Sequence, residues 1–157
     1  RYQRQHDWAA RLPRDADPEP ARRTGDMRLS VFHHPLTGWT DAVVMNVLQG
    51  LATGVQMTEL TRLSYSPLAD TFRQIAPREA RHAQLGLNGL ARLVRSDPEG
   101  VRASVAYWTG RVAAGFGVAG SDRFDRLAAM GLRHRRNEAL CAEWRTLAAA
   151  KLAGLGL

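Results

Sequence analysis

With 157 residues, 45% of them hydrophobic, the sequence is long enough for one domain with a real core and too short for a second. The formal net charge of +7 comes almost wholly from arginine, since Lys151 is the only lysine. Such a surface suits carboxylate or phosphate pairing but cannot by itself choose between acidic partners, nucleic acid and phosphate-bearing ligands. The single cysteine, Cys141, excludes an intramolecular disulfide and a cysteine-based zinc or iron-sulfur site, and no apolar run marks a signal peptide or a membrane span, so a soluble protein of the reducing cytoplasm is expected.

Residues 1 to 26 scatter Pro13, Pro18 and Pro20 among charges, which predicts an extended arm with at most a short helix near Trp8 to Leu12. The division expected is an arm or linker over 1–31 and a helical domain over 32–157. From Gly38 to about Leu63, Val44, Leu48, Leu51 and Val55 recur at helical spacing, with Thr40 and Asp41 suited to the first turn. Ser64-Tyr65-Ser66-Pro67 breaks this helix and starts the next, because proline cannot continue a helix but fits its first turn. The second helix is predicted to reach about Val94, with a kink at Pro77. Asp97-Pro98-Glu99 starts a third, to about residue 115. A glycine loop then leads to a stretch capped by Ser121-Asp122 and ending at Met130, and a last helix spans about Asn137 to Leu152. No segment alternates with a period of two, so the fold class expected is all-α, an antiparallel helical bundle.

The chemistry-bearing pattern lies on the second helix, where Leu68, Phe72, Ile75, Glu79, His82, Gly86, Leu90 and Leu93 follow one another at steps of three and four. Two ionisable residues thus stand where apolar ones are expected. A buried carboxylate needs compensation, which a metal ion, a His-carboxylate pair or a nearby arginine would each supply. In di-iron bundles Glu-x-x-His on each of two helices points both side chains inward, while two further helices give one carboxylate each. Only one Glu-x-x-His is present, Glu79-Ala80-Arg81-His82.

The order of Trp39-Thr40-Asp41, Ser64-Tyr65-Ser66-Pro67, Arg78-Glu79-Ala80-Arg81-His82-Ala83-Gln84-Leu85-Gly86, then Trp108, Asn137-Glu138-Ala139-Leu140, Trp144 and the closing Leu155-Gly156-Leu157, resembles the phenylacetic acid catabolic proteins, the oxygenase components of phenylacetyl-CoA ring epoxidases. The resemblance covers residues 32–157 and implies a ferritin-like bundle holding the second helix pair and the C-terminal helices of the family. It further implies a di-iron cofactor that activates oxygen to epoxidise the ring of an aryl-CoA substrate. A flavin and iron-sulfur reductase supplies electrons, and a homologous ferritin-like subunit pairs with the catalytic one. Glu79 and His82 match the family's second Glu-x-x-His and are the expected metal ligands, intact or vestigial.

Two departures from the family pattern stand out. Nothing in residues 1–31 corresponds to the first helix pair, so the sequence, which begins at Arg1, is read as a C-terminal portion or a shortened protein. At the position 29 residues before Glu79, where catalytic members carry an acidic ligand, stands Gly50. Gln49 points about 100° away on an ideal helix and Glu59 lies too far along it to substitute. Gly50 and Gly54 would instead let another helix come close. The expectation is a subunit of an aryl-CoA ring-epoxidising monooxygenase with an incomplete di-iron site, no catalytic residue being assigned. The alternatives are a non-catalytic structural subunit with a degenerate metal site, and a basic helical protein whose Glu79-His82 pair is purely structural.

Arg133, Arg135 and Arg136, with His134 among them, form the densest basic run. They are weak candidates for the phosphates of coenzyme A or an acidic subunit face, against a solvated helix start; without interleaved aromatics the run does not suggest nucleic acid. The neighbours His33 and His34 are assigned a structural or surface role, and Trp108, Trp144, Met57 and Met130 a place in the core or an interface. Cys141 is expected to be an inert buried thiol.

Overall fold

The computed structural model describes residues 12–18 and 29–157, so most of the expected arm, including Trp8 and the rest of its short helix before Leu12, lies outside the described residues. A 3-10 turn, Ser30–His33, leads into α1 (Trp39–Leu60), α2 (Ser66–Ser96), α3 (Pro98–Ala114), the short α4 (Arg123–Ala129) and α5 (Asn137–Ala153). These bounds follow the sequence signals. Pro67 sits in the first turn of α2, and the Asp97 carboxylate accepts a hydrogen bond from Gly100 N at 2.9 Å, capping α3. Helix α2 continues through Pro77 as one element. The expected side-chain cap on α4 is not formed: Asp122 makes none, and the backbone bond from Phe124 N to Ser121 O at 3.0 Å starts the turn instead.

Helix α1 is the axis on which the others pack. Its stripe of Val44, Val47, Leu48, Leu51 and Val55 is buried, as the spacing predicts. Close approaches of Gly50 to Ala83, Gly86 to Val47 and Gly89 to Val43 show that α2 runs back along α1 in antiparallel register. Trp144 on α5 donates from Nε1 to the carbonyl of Leu48 at 3.1 Å, and the segment before α5 meets Glu59, so α5 is antiparallel to α1 as well. On α3, Ser104 reaches Asp41 and Val112 lies beside Thr53 and Gln56, which makes α3 parallel to α1. Helices α1, α2, α3 and α5 therefore alternate in direction, the up-and-down arrangement that short connections favour. Trp108 and Trp144, both wholly buried, fill the spaces beside α1.

The two ends of the bundle are tied differently. Near the C-terminal end of α1, Ser64 N donates to the carbonyl of Gly131 at 2.8 Å and Ser64 Oγ to that of Met130 at 2.6 Å. Gly131 has φ +67°, and a Cβ there would come within 2.8 Å of the Ser64 Cβ, so only glycine fits this loop crossing. At the other end, Arg14 pairs with Asp41 in the first turn of α1, and residues 12–18 are held along α3 by Arg111, which donates from Nη2 to the carbonyls of Arg14 and Ala16 at 3.0 and 2.9 Å.

Candidate functional site

Glu79 and His82 sit one turn apart on α2 with His82 Nδ1 3.5 Å from Glu79 Oε1. The expectation that both lie on the buried seam is corrected: the His82 side chain is 56% exposed and that of Glu79 32%. Leu68, taken as the start of the same seam, is exposed too. The face that α2 turns inward instead holds Ala69, Ala83 and Leu90, together with Gly86 and Gly89, because a close helix pair needs small side chains at its contacts. Glu79 borders this face, whereas His82 lies on its flank.

Gly50 faces this same region. A Cβ added to it would stand 3.3 Å from Ala83 Cβ and 3.5 Å from Ala83 Cα, so the predicted close helix approach is present, next to the residue that follows His82. Gly54, paired with it in the sequence argument, has nothing within 4 Å of such a Cβ and does not take part. Among the described residues no group of three His, Cys, Asp or Glu side chains could hold a metal ion. Glu79 and His82 are two donors on one helix, where a di-iron bundle supplies six from four helices.

The two acidic residues of α1 are bound elsewhere. Glu59, wholly buried, accepts from the backbone N–H groups of His134 and Arg135 and from Arg135 Nε at 3.2 Å. Burial pushes its carboxyl up, but these donors outweigh burial and hold it below the usual range. Asp41, buried at the other end of α1, accepts from Arg14, from Thr37 N and Oγ1 and from Ser104 Oγ at 2.7 Å. Burial is again opposed and overcome, and the Asp41 carboxyl is held far below the carboxylate range. Both anchors were accessible to sequence reasoning, since positions 41 and 59 extend the spacing of Val44, Leu48, Leu51 and Val55 in either direction.

The basic run divides. Arg135 turns to Glu59 and Glu143, while Arg133 donates to Asn137 Oδ1 at 2.7 Å and Arg136 to Asp125 Oδ1 at 2.9 Å. Arg133 and Arg136, with Arg123 of α4, line one open cleft of about 300 Å³; Arg135 does not. His33 and His34 are buried beneath α3, and Arg111 donates from Nε to His34 Nδ1 at 3.3 Å, in keeping with the structural role. Trp108 and Trp144 are core residues, but Met130 is half exposed, and Cys141 is half-buried against the core.

An all-α bundle arranged around one central helix, with Glu-x-x-His on the long helix beside it, places the protein in the ferritin-like class. The chain matches the phenylacetic acid catabolic protein family over residues 8–157, essentially its whole length, and belongs to that family. No curated protein matches it. Membership ties the chain to phenylacetic acid catabolism. Among the described residues no helix is long and apolar enough to cross a membrane.

Proposed function

We propose that the chain is a subunit of a multicomponent monooxygenase that epoxidises the ring of a phenylacetyl-CoA-like aryl-CoA thioester, and that its own di-iron site is degenerate. The observation that carries this reading is Gly50: the position 29 residues before Glu79, where catalytic members of the family carry an acidic ligand, has no side chain, and Ala83, the residue after His82, stands in van der Waals reach of where one would begin. Iron in a complete site would supply oxygen activation, and Glu79 and His82 would be two of its ligands. In this chain they are left as a partly exposed pair.

The subunit then works through association, with a homologous ferritin-like subunit and a flavin and iron-sulfur reductase as its partners. Tyr65 and Leu68, neighbours at the start of α2, are exposed apolar side chains that such a partner would cover. Metal analysis of the pure protein after expression with ample iron is expected to find far less than one iron per chain. Co-expression with an iron-containing homologous subunit is expected to give a stable complex. Stoichiometric iron that is lost in the Glu79→Gln variant would overturn the degenerate-site reading, and failure to associate would overturn the subunit reading.

A further inference from the structure

We propose that the cleft between α4 and the start of α5 binds a phosphate-bearing small molecule through Arg123, Arg133 and Arg136. Its volume of about 300 Å³ is that of a small-ligand site. Three guanidinium groups line it against one carboxylate, Glu138. Two separate elements bring these cations together: Arg123 comes from α4, while Arg133 and Arg136 come from the segment that enters α5.

The pairing within the basic run explains why it is these arginines and not their neighbour. Arg135 is occupied by Glu59 and Glu143 and helps to anchor the loop. Arg136 lies over the Phe124 ring at 4.3 Å and uses one nitrogen on the exposed Asp125; Arg133 uses one on Asn137. Arg123 has no ion pair or hydrogen bond among the described residues. A guanidinium carries five N–H donors, so all three keep unused donors in a geometry that matches phosphate oxygens. Phe124 adds an apolar wall beside them.

The ligand class is therefore a phosphate or diphosphate group, carried either by a free phosphate anion or by a nucleotide-type cofactor. The inference stands on the cleft and is independent of the iron question, so either can fail alone.

Isothermal titration of the full chain with pyrophosphate, ADP and coenzyme A at physiological ionic strength tests it. Saturable binding of at least one probe is expected. It is expected to weaken about tenfold or more in the double variant R123Q/R133Q, where charge-assisted donors are lost. The Arg92→Gln variant, at the far end of α2, is expected to bind as the wild type does. Asp125→Asn releases Arg136 and is expected to tighten binding severalfold, which a merely structural role for the arginines would not produce. Circular dichroism checks that each variant keeps its helical content. Tighter binding of ADP or coenzyme A than of pyrophosphate identifies a nucleotide-type ligand, and the reverse a free phosphate; either outcome supports the site. Absence of saturable binding by the wild type, or equal affinity in R123Q/R133Q, overturns it.

Discussion

Glu59 joins two distant parts of the chain at one carboxylate. It ends α1, receives two backbone N–H groups from the segment that leads into α5, and meets the guanidinium of Arg135. A carboxylate with no exposure is stable only because every approach to it is a donor. Replacing Glu59 by Gln keeps the shape but turns one acceptor oxygen into a donor and removes the charge opposite Arg135. The variant is expected to lose about 2 kcal/mol of stability, measurable as a lower denaturant midpoint with little change in slope. The same residue explains why Arg135 differs from the arginines on either side of it. Its position in a run of like residues says nothing of this; the partner on α1 decides.

At the scale of the element, the α1–α2 hairpin is set by how small its contact residues are. A Cβ on Gly86 would lie 3.0 Å from Val47 Cγ2 and 3.1 Å from Asn46 Oδ1. Gly86→Leu is therefore expected to force the helices apart and cost about 1–3 kcal/mol, seen as a lowered melting temperature with helical content largely kept.

This hairpin also shows what could be read in advance. Pro67 and the Asp97-Pro98 pair mark helix starts through local backbone chemistry, so the elements were legible to within a few residues. The inward face of α2 was legible only in part. The spacing identifies Gly86 and Leu90, but large apolar residues are a poor guide to the rest of the seam, where Ala69, Ala83 and glycine make the contact. A seam drawn through the large apolar residues puts His82 inside, whereas its side chain faces solvent. Of the arginines that line the cleft, Arg133 and Arg136 stand out in the sequence as a basic run, but Arg123 does not, because thirteen positions and a loop separate it from Arg136 and only the path of α4 and α5 brings them together.

For the molecule as a whole, the buried titratable groups dictate its response to acid. His34 is buried, its Nδ1 accepts from Arg111, and its Nε2 meets no hydrogen-bond partner among the described residues. Burial first, then the Arg111 charge and His33, lower its pKa to about 4 from an ordinary 6.5. Between these values the unfolded chain takes up a proton that the folded chain does not. Stability is therefore present above about pH 6.5 and is lost as the pH falls toward about 4, by up to about 3 kcal/mol. The carboxylates Asp41 and Glu59, held low in the folded state, contribute stability that disappears only below about pH 4, as they are forced to protonate. Acid unfolding followed by circular dichroism at fixed denaturant is expected to show both ranges, and His34→Gln is expected to flatten the upper one. An unchanged upper range in that variant would exclude His34 as its source.

The glycine contacts along α1 and α2 also bear on how this chain could change. Position 50 is not independent of position 83, nor is either independent of the Gly86 contact with Val47 further along the same two rigid helices. A carboxylate arriving at position 50 meets Ala83 before it meets any partner, and the small displacement it needs is passed to the next contact. Introducing an acidic side chain there thus brings the cost of a wider hairpin with it. The close fit therefore couples positions 50, 83 and 86: a larger side chain at one of them is felt at the others through the spacing of the two helices.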